Sequence, residues 1–490
     1  MCSFFSGFKG GICMQPNWIK QRAYLTPNRI AVSFHDEQWT FHELYEKSVI
    51  RAYQLNAYEL TGKRVAILAP STPALIEVLY ACMQAQCEMV LLNGRLSKQE
   101  LSYQIADAEV DMILVADSEF GKLAPDDRIL LFSALSDREP KAYEIASEWD
   151  DDFALTIMYT SGTTGFPKGV CQTVGNHSAS AVSSALNLGL SEQDSWLCTV
   201  PIFHISGFSI IVRSLLYGMK IRLYEKFDAK RCAAEIASGS VTKMSVVAVT
   251  LENILTQMEE ANLTAHKNFT TMLAGGGPVP AAYLHRAQAL QLCVAQTYGM
   301  TETSSQTTTL TSEDAFRKVG SAGKPLFFNQ VRIDEPNVEG IGEILVRGPH
   351  VTPRYVGKFK DKPTTRDGWL HTGDIGYLDK QGFLYVVDRR SDLIISGGEN
   401  IYPAEIENVL LAHEAVKEAG VCGIDDAKWG QVPIGFVVLK GKVSEQQLID
   451  FCKMNLAKYK IPKKIHFINN MPRNGSNKLL RRQLKQLIVD

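Results

Sequence analysis

The stretch "YTSGTTGFPKGV", residues 159–170, begins at the end of the apolar run "ALTIMY" (154–159). Its glycines let backbone N–H groups approach an anion, and its hydroxyls and lysine add donors and charge. The spacing is not GxxxxGK[ST], because Pro167 and Val170 stand where the second glycine would follow Gly162 or Gly165. A flexible surface loop is the alternative. We predict a phosphate-binding loop that uses Thr160, Ser161, Gly162, Thr163, Thr164 and Lys168.

The composition is that of an ordinary globular protein. The chain has 490 residues, 45% of them apolar, and a formal net charge of -2, which gives no electrostatic reason to expect a nucleic-acid or membrane partner. Its ten cysteines lack zinc or CxxC spacing, so we expect reduced thiols and a cytoplasmic protein. No apolar run reaches the roughly 18 residues of a membrane span. Residues 1–13 make a poor signal peptide and are expected to be a loose tail or a start-site artefact.

Strands and helices alternate in the first part of the chain. The runs at 64–69, 89–93 and 112–116 predict strands, and the stretch after Ser71 predicts a helix with Pro73 in its first turn. "SKQE" (97–100) is a capping box that opens a second helix. This order predicts a parallel sheet covered by helices, and a similar rhythm recurs from about 153 to 300.

The last third of the chain has a different pattern. Short strand candidates separated by glycine-rich turns predict a β-rich subdomain over about 318–390. From about 391 a compact α+β unit follows, with a helix that has Pro403 early and another that opens with the capping pair Ser444 and Gln447. We therefore expect an N-terminal domain over 1–390 and a C-terminal domain over 391–490, with a hinge near Ser391.

Five further stretches occur in order along the chain. They are "LAGGGPVP" (273–280), "QTYGMTET" (296–303), "WLHTGDIG" (369–376), "DRRSD" (388–392) and "PRNGSNKLLR" (472–481). Each alone is explained as a turn, a strand end or a basic tail. Together with the loop they resemble the adenylate-forming superfamily of acyl- and aryl-CoA ligases, peptide-synthetase adenylation domains and beetle luciferase. The resemblance implies an α/β fold, with a large N-terminal domain of parallel and mixed sheets covered by helices and a small mobile α+β C-terminal domain.

The resemblance assigns roles around the nucleotide. Tyr298 would stack on adenine beside the backbone of Gly275, Gly276, Gly277 and Gly299. Thr301 would contact the α-phosphate and Glu302 would bind Mg²⁺. A π-face suits a purine, and a carboxylate is a hard oxygen ligand.

The resemblance also assigns residues near ribose, the acyl group and CoA. Asp374 would accept hydrogen bonds from both ribose hydroxyls, and Arg389 would contact ribose and phosphate. Lys478 matches the catalytic lysine, and His204 would lie by the acyl pocket and gate thiol access, although a packed core histidine is the alternative. Gly397 and Gly398 would line a pantetheine tunnel after the C-terminal domain turns about Ser391, where relatives often carry Asp or Lys.

Four longer segments narrow the resemblance. "NHSASAVSSALNLGLSEQDSW" (176–196), "PIFHISGF" (201–208), "SAGKPLF" (321–327) and "DRRSDLIISGGENIYPAE" (388–405) are very similar to the o-succinylbenzoate–CoA ligases of bacterial menaquinone biosynthesis. The implied reaction activates 2-succinylbenzoate with ATP and transfers it to CoA. The alternatives are a CoA ligase for another aryl or short acyl acid, and a catalytically silent nucleotide-binding protein.

The implied substrate is a dianion, so its second carboxylate needs polar or cationic partners. His204, Ser206, the backbone of 275–277 and Arg213 are all candidates, and Arg213 could equally be a surface charge. The expected cofactors and co-substrates are ATP, Mg²⁺ and CoA, with no nucleic-acid partner. A homo-oligomer is expected by analogy alone.

Overall fold

The computed structural model describes most of the chain. The described residues are 13–160, 166–277, 279–389, 392–396, 399–426, 429–456, 458–474 and 479–488. Of residues 388, 389, 395, 399 and 400 only the backbone is described.

The first part of the chain alternates strands with helices, as predicted. Its elements are β1 Met14–Pro16, α1 Trp18–Leu25, β2 Ile30–Phe34, β3 Glu37–Thr40, α2 Phe41–Ala57, β4 Arg64–Leu68, α3 Pro73–Gln84, β5 Glu88–Leu91, α4 Lys98–Asp107, β6 Met112–Val115, β7 Ile129–Leu131, β8 Glu148–Asp150, β9 Ala154–Thr160 and β10 Lys168–Thr173. β4, β5, β6, β7 and β9 run parallel in one sheet. α4 begins with the predicted capping box of Ser97 and Glu100.

The rhythm continues to about residue 300, as the sequence also indicates. The next elements are α5 Val174–Leu188, β11 Ser195–Cys198, α6 Ile205–Tyr217, β12 Lys220–Leu223, α7 Ala229–Ser238, β13 Lys243–Val246, α8 Ala248–Glu260, β14 Thr271–Ala274, α9 Ala281–Ala289, β15 Val294–Tyr298, β16 Thr308–Leu310 and β17 Lys324–Pro325. The strands β11 to β17 form a nine-stranded sheet with β2 and β3, in the order β17-β16-β15-β14-β13-β11-β12-β2-β3.

An antiparallel sheet follows. Its part of the chain contains β18 Gln330–Asp334, β19 Gly342–Arg347, β20 Arg354–Val356, β21 Thr365–Arg366, β22 Trp369–Leu378 and β23 Leu384–Arg389. β20 leaves this sheet and joins the first one, where it pairs antiparallel with β10. The run "GKPLFFNQVRID" (323–334) forms two strands, and its first strand, β17, belongs to the nine-stranded sheet. The interval 318–390 thus contributes to three sheets.

The C-terminal part has its own sheet and core. Its elements are β24 Ile394–Ser396, β25 Glu399–Ile401, α10 Pro403–Leu411, β26 Val416–Asp426, β27 Gly430–Leu439, α11 Glu445–Asn455, β28 Ile465–Phe467 and α12 Arg481–Leu484. The predicted capping box of Ser444 and Gln447 opens α11. A separate apolar cluster, which includes Ile406, Leu410 and Val437, packs α10 and α11 on this sheet.

Two helices join the large sheets. The largest apolar cluster contains residues of both sheets together with most of α3 and α6. Nine consecutive residues of α6, Gly207–Leu215, are buried, and nearly all of α3 is buried as well. A helix that is buried on all sides lies inside a protein rather than on its surface. The two sheets therefore share one core, with α3 and α6 between them.

Two further expectations have outcomes here. Among the described residues, eight cysteines are free thiols and Cys13 is disulfide-bonded, so the expectation of reduced thiols is wrong at Cys13. Among the described residues, no helix has the length and apolar composition needed to cross a bilayer.

Buried histidines should make stability depend on pH. Burial lowers the pKa of His177 and of His350 to about 3. Between pH 3 and 6.5 the unfolded chain binds protons there that the folded chain does not, so stability rises with pH in this window and levels off above it. We expect the unfolding free energy to fall by up to about 2 kcal/mol per histidine from pH 6.5 to pH 5.

Urea titrations at several pH values measure this dependence. His350→Gln should show a shallower slope between pH 6.5 and 5, whereas His285→Gln, at an exposed position, should keep the slope of the parent protein. An unchanged slope in His350→Gln would contradict the assignment.

Candidate active site

The glycine-rich turn and Tyr298 lie at one edge of the nine-stranded sheet. β14 and β15 are parallel neighbours, so the residues that follow β14 and the residues that end β15 meet at the same edge. This edge opens into a cavity of about 470 Å³, which Gly275, Gly276, Gly277, Tyr298, Gly299 and Asp374 help to line. Ligands of α/β sheets bind outside the carboxyl ends of the strands. The structure thus brings together the residues that the resemblance assigns to adenine and ribose.

Two of these glycines are required by the backbone itself. Gly276 has a φ of +79°, which disfavours any residue with a Cβ. A Cβ at Gly299 would lie 1.7 Å from the carbonyl oxygen of Ser305. Ser304 and Ser305 also have positive φ, of 48° and 113°. Non-glycine residues pay for such angles in strain, which collects at functional sites. Sequence reasoning missed this strained turn, since serine gives no signal for it.

Asp374 links the antiparallel sheet to Tyr298. The Tyr298 hydroxyl donates to Asp374 Oδ2 over 2.8 Å, and Asp374 is buried. Asp374 is the register partner of Arg389 across β22 and β23. The backbone of the predicted ribose-binding pair is therefore adjacent, although the Arg389 side chain is outside the described residues.

Glu302 lies in a single helical turn after β15. Its side chain is buried, and the Tyr355 hydroxyl lies 3.5 Å from Glu302 Oε1. Burial raises the pKa of Tyr355, and the charge of Glu302 raises it further. The Thr352 N–H donates to the Glu302 carbonyl over 2.8 Å. Thr352 thus holds the Glu302 backbone, and the Glu302 carboxylate lies beside the Tyr355 hydroxyl.

The two ends of the phosphate loop are neighbours. Thr160 ends β9 and is the register partner of Lys168, which begins β10. Lys168 Nζ lies 5.6 Å from the centroid of the Tyr355 ring and 5.8 Å from that of Phe359. Because Tyr355 also meets Glu302, one ring separates the loop lysine from the predicted magnesium ligand. Ser161, Gly162, Thr163 and Thr164 lie outside the described residues.

His204 and Arg213 lie on α6. His204 is the N-cap residue and its ring packs on Phe203, with centroids 4.6 Å apart. Arg213 is 1% exposed, so the interpretation of a surface charge is wrong. The guanidinium lies over the Trp196 ring at 5.0 Å, and Nη2 donates to Gln306 Oε1 over 3.0 Å. Ser206 is exposed.

Arg213 is a buried cation without a carboxylate. Among the described residues no acidic side chain pairs with it, and its Nε has no hydrogen-bond partner. Burial lowers the pKa of Arg213, an effect that the neighbouring Tyr217 partly offsets. Gln306 follows Thr301 and Glu302 by a few residues in the sequence, so this hydrogen bond connects α6 to the segment that carries the predicted phosphate and magnesium residues.

The remaining predicted residues lie outside the described part of the chain. These are Lys478, Gly397, Gly398 and the hinge residue Ser391. Asn474 and Leu479, which flank residues 475–478, both line the same cavity as Tyr298 and Asp374. Two residues of the C-terminal lysine motif therefore face this cavity.

The fold and this constellation define a class of enzyme. Residues 19–356 match the AMP-binding enzyme family, and residues 405–478 match the AMP-binding enzyme C-terminal domain. The chain belongs to the AMP-binding enzyme family.

Particular relatives are close over nearly the whole length. The 2-succinylbenzoate–CoA ligase of Bacillus anthracis (strain A0248) is 48% identical, covering 97% of this chain and 99% of that protein. The o-succinylbenzoate CoA synthetase from Bacillus subtilis, in complex with the acyl-adenylate intermediate OSB-AMP, has 45% identity and a TM-score of 0.90, covering 97% of this chain and 99% of that one. The same Bacillus subtilis enzyme with ATP and magnesium ion has 44% identity and a TM-score of 0.89, covering 96% and 100%.

Asp374→Ala should weaken ATP binding selectively. It removes the acceptor of the Tyr298 hydroxyl and the predicted ribose contact. Hydrogen bonds to a charged group contribute about 1.5–3 kcal/mol, so we expect KM for ATP to rise about 10- to 100-fold. KM for the acid should change by less than about threefold.

Steady-state kinetics with varied ATP and varied acid measure both constants. The matched control is Asp379→Ala, which removes a carboxylate paired with Lys318 in the same sheet and should leave KM for ATP unchanged. Equal increases in both KM values for Asp374→Ala would contradict a ribose role.

Proposed function

We propose that this protein is a 2-succinylbenzoate–CoA ligase of menaquinone biosynthesis. It converts 2-succinylbenzoate and ATP to an acyl-adenylate and pyrophosphate, and then transfers the acyl group to CoA, with release of AMP. The observation that carries the proposal is the high similarity over the whole chain to enzymes of this name, one of them bound to OSB-AMP.

The first step needs positive charge around the phosphates. An oxygen of the succinyl carboxylate bonds to the α-phosphorus, and the bond to the pyrophosphate oxygen breaks. Catalysis of phosphoryl transfer rests on positioning and electrostatic stabilisation. Lys168 and the loop that Thr160 begins would bind the pyrophosphate side, Thr301 would bind the α-phosphate, and Lys478 would approach from the C-terminal domain.

The residues around Glu302 suit Mg²⁺. This ion is held in proteins by one or two carboxylates, with substrate phosphates and water completing its octahedron. Among the described residues no group of three or more acidic, histidine or cysteine side chains is arranged to hold a metal, whereas Glu302 is a buried carboxylate beside the cavity edge. Glu302 would therefore hold the ion jointly with ATP. When bound, Mg²⁺ neutralises charge that develops on the phosphates.

The second step uses the thiol of CoA and no protein nucleophile. The CoA sulfur bonds to the acyl carbon, and the bond between that carbon and the AMP oxygen breaks. Burial raises the pKa of Cys171 to about 11 and that of Cys198 to about 12, so both are protonated at neutral pH. His204 would gate the thiol, and Gly397 and Gly398 would line its path once the C-terminal domain turns about Ser391.

Arg213 is the proposed partner of the second substrate carboxylate. A buried cation that lacks an acidic partner is costly unless an anion arrives with the ligand. 2-Succinylbenzoate brings such an anion on its ring. Of the candidates considered, Arg213 alone is a buried cation with an unused donor.

Two further points, on cellular location and on assembly, belong to the same proposal. A cytoplasmic location is supported by the eight free thiols. A homo-oligomer is proposed by analogy alone.

A panel of acids tests the substrate. AMP release should require ATP, Mg²⁺, CoA and 2-succinylbenzoate together, with benzoate and fatty acids at least about 100-fold poorer in kcat/KM, since a missing charged partner costs several kcal/mol. Turnover of benzoate or a fatty acid without turnover of 2-succinylbenzoate would overturn the substrate. No turnover with any acid would favour a silent nucleotide-binding protein.

Arg213→Gln tests the second-carboxylate site. We expect kcat/KM for 2-succinylbenzoate to fall about 10- to 100-fold, because one charge-assisted contact is lost. Any residual turnover of a monocarboxylate such as benzoate should be unchanged or improved. The measurement is the ratio of the two kcat/KM values.

The matched control for Arg213→Gln is Arg22→Gln. Arg22 donates to the carbonyls of Leu215 and Leu216 at the end of the same helix and lies away from the site. Its loss should lower stability without changing the ratio. Equal losses for both acids in Arg213→Gln would contradict the assignment.

A further inference from the structure

Gln172 is a buried amide in β10 that no step above uses. It is fully buried, four residues after Lys168. Its Nε2 donates to the Thr301 carbonyl over 2.9 Å, across 129 residues of sequence. Its Oε1 accepts from Thr156 Oγ1 over 2.7 Å, across the pair of strands that bounds the phosphate loop. The amide therefore joins the base of that loop to the segment that carries Thr301 and Glu302.

The orientation of this amide is determined by its partners. A backbone carbonyl only accepts, so Nε2 must face Thr301 and Oε1 must face Thr156. The single Thr156 proton then goes to Oε1. His177 Nε2, 2.8 Å from Thr156 Oγ1, must consequently be a donor. Since burial lowers the pKa of His177 to about 3, the ring is neutral and protonated at Nε2. Donors and acceptors along the hydrogen-bonded chain His177–Thr156–Gln172–Thr301 can therefore be assigned in one way only.

A second link ties the same two segments. Thr352 donates its N–H to the Glu302 carbonyl over 2.8 Å, and its hydroxyl bonds to the Cys171 carbonyl in β10. Both carbonyls of the dipeptide Thr301–Glu302 are thus held by β10 or by the residue bridging to it. Gln172 is the direct link, since its own side chain belongs to the strand that Lys168 begins.

We propose that Gln172 is a positioning residue for adenylation, which holds Thr301 and Glu302 in register with Lys168. The inference rests on the proposed function, because it concerns the step in which these three residues act on ATP. A shift of reacting groups by a fraction of an ångström lowers the rate of a positioned reaction. The thioester step does not use this triad and should be insensitive to the amide.

Gln172→Glu and Gln172→Leu test the proposal. Glutamate keeps the size and the acceptor and, when ionised, offers no donor to the Thr301 carbonyl, whereas leucine loses both bonds at any pH. For each we expect kcat of ATP–pyrophosphate exchange with 2-succinylbenzoate to fall about tenfold, as loss of one buried hydrogen bond predicts. The Mg²⁺ concentration for half-maximal exchange should rise, and KM for the acid should stay within about twofold. Thioester formation from supplied 2-succinylbenzoyl-adenylate should also stay within about twofold.

The matched control is Gln84→Leu. Gln84 is equally buried, and its amide bonds to Asn17 and Ser48 in a different part of the core. It should lower the melting temperature about as much as Gln172→Leu while leaving exchange and its Mg²⁺ dependence unchanged. Thr156→Val, which is nearly isosteric, keeps the Gln172 amide but removes its donor together with the acceptor of His177 Nε2, and should lower exchange about threefold.

The outcomes separate this inference from the proposed function. An active parent enzyme whose Gln172 variants match Gln84→Leu in exchange, or lose both steps equally, would overturn the positioning role and leave the proposed function intact. Absence of exchange by the parent enzyme with every acid would overturn the proposed function and the inference with it. The Nε2–H tautomer of His177, measured from its ¹⁵N chemical shifts, should be lost or altered in Thr156→Val.

Discussion

The antiparallel pairing of β10 with both β9 and β20 is the constraint on which the active site depends. It sets Lys168 opposite Thr160 on one side, and on the other side it brings Tyr355 across from Val170. Gly169 makes this possible, since a Cβ there would lie 2.5 Å from Val356 Cγ2 and 3.0 Å from Tyr159 Cζ. β9 and β20 can therefore pack this closely against β10 only because residue 169 is glycine. The position of the loop lysine relative to Glu302 follows from that close packing.

The boundary between the two large sheets also runs through the active site. β10 belongs to the first sheet and Thr301 follows β15 of the second, so the residues predicted to bind the nucleotide come from different sheets. The shared core around α3 and α6 holds those sheets at a fixed separation, because close-packed interiors deform little. The hydrogen bond from Gln172 to the Thr301 carbonyl connects the two sheets at the site itself. Packing sets the distance between the sheets, and in its proposed role the Gln172 amide would set the register of Lys168 with Thr301 and Glu302.

Local signals in the sequence predicted local structure well. The capping boxes at Ser97 and Ser444 and the proline at the start of α3 were readable because each depends on residues within one turn. The order of strands was not readable, since a short strand such as β20 could join either of two sheets with the same apolar pattern. The "GKPLFF" run shows the same limit, as its strand pairs with β16 rather than with the strands that follow it.

The candidate site likewise contains residues that the sequence predicts and residues that it does not. Motif residues such as Tyr298 and Asp374 were predicted by resemblance, and the cavity gathers them. Gln172 was missed because a lone glutamine in a strand carries no signal, and its partner Thr301 lies 129 residues away. The strained turn at Ser304 and Ser305 was missed because serine rarely adopts such angles and so does not announce them. Sequence finds the residues that a ligand recognises more readily than those that hold them in place.

Arg213, the proposed partner of the second substrate carboxylate, would turn a cost to folding into a means of recognition. Burying a cation without a carboxylate lowers stability, and here the Trp196 ring and the Gln306 carbonyl offset only part of that loss. Neither partner uses Nε, which leaves this donor for a ligand. In the proposed role, a dianionic acid would complete the charge pair, whereas a monoanionic acid of similar shape would leave the cation buried without a carboxylate. Discrimination between the two acids then arises from the penalty that the wrong substrate fails to relieve, which is larger than the difference that apolar contacts provide.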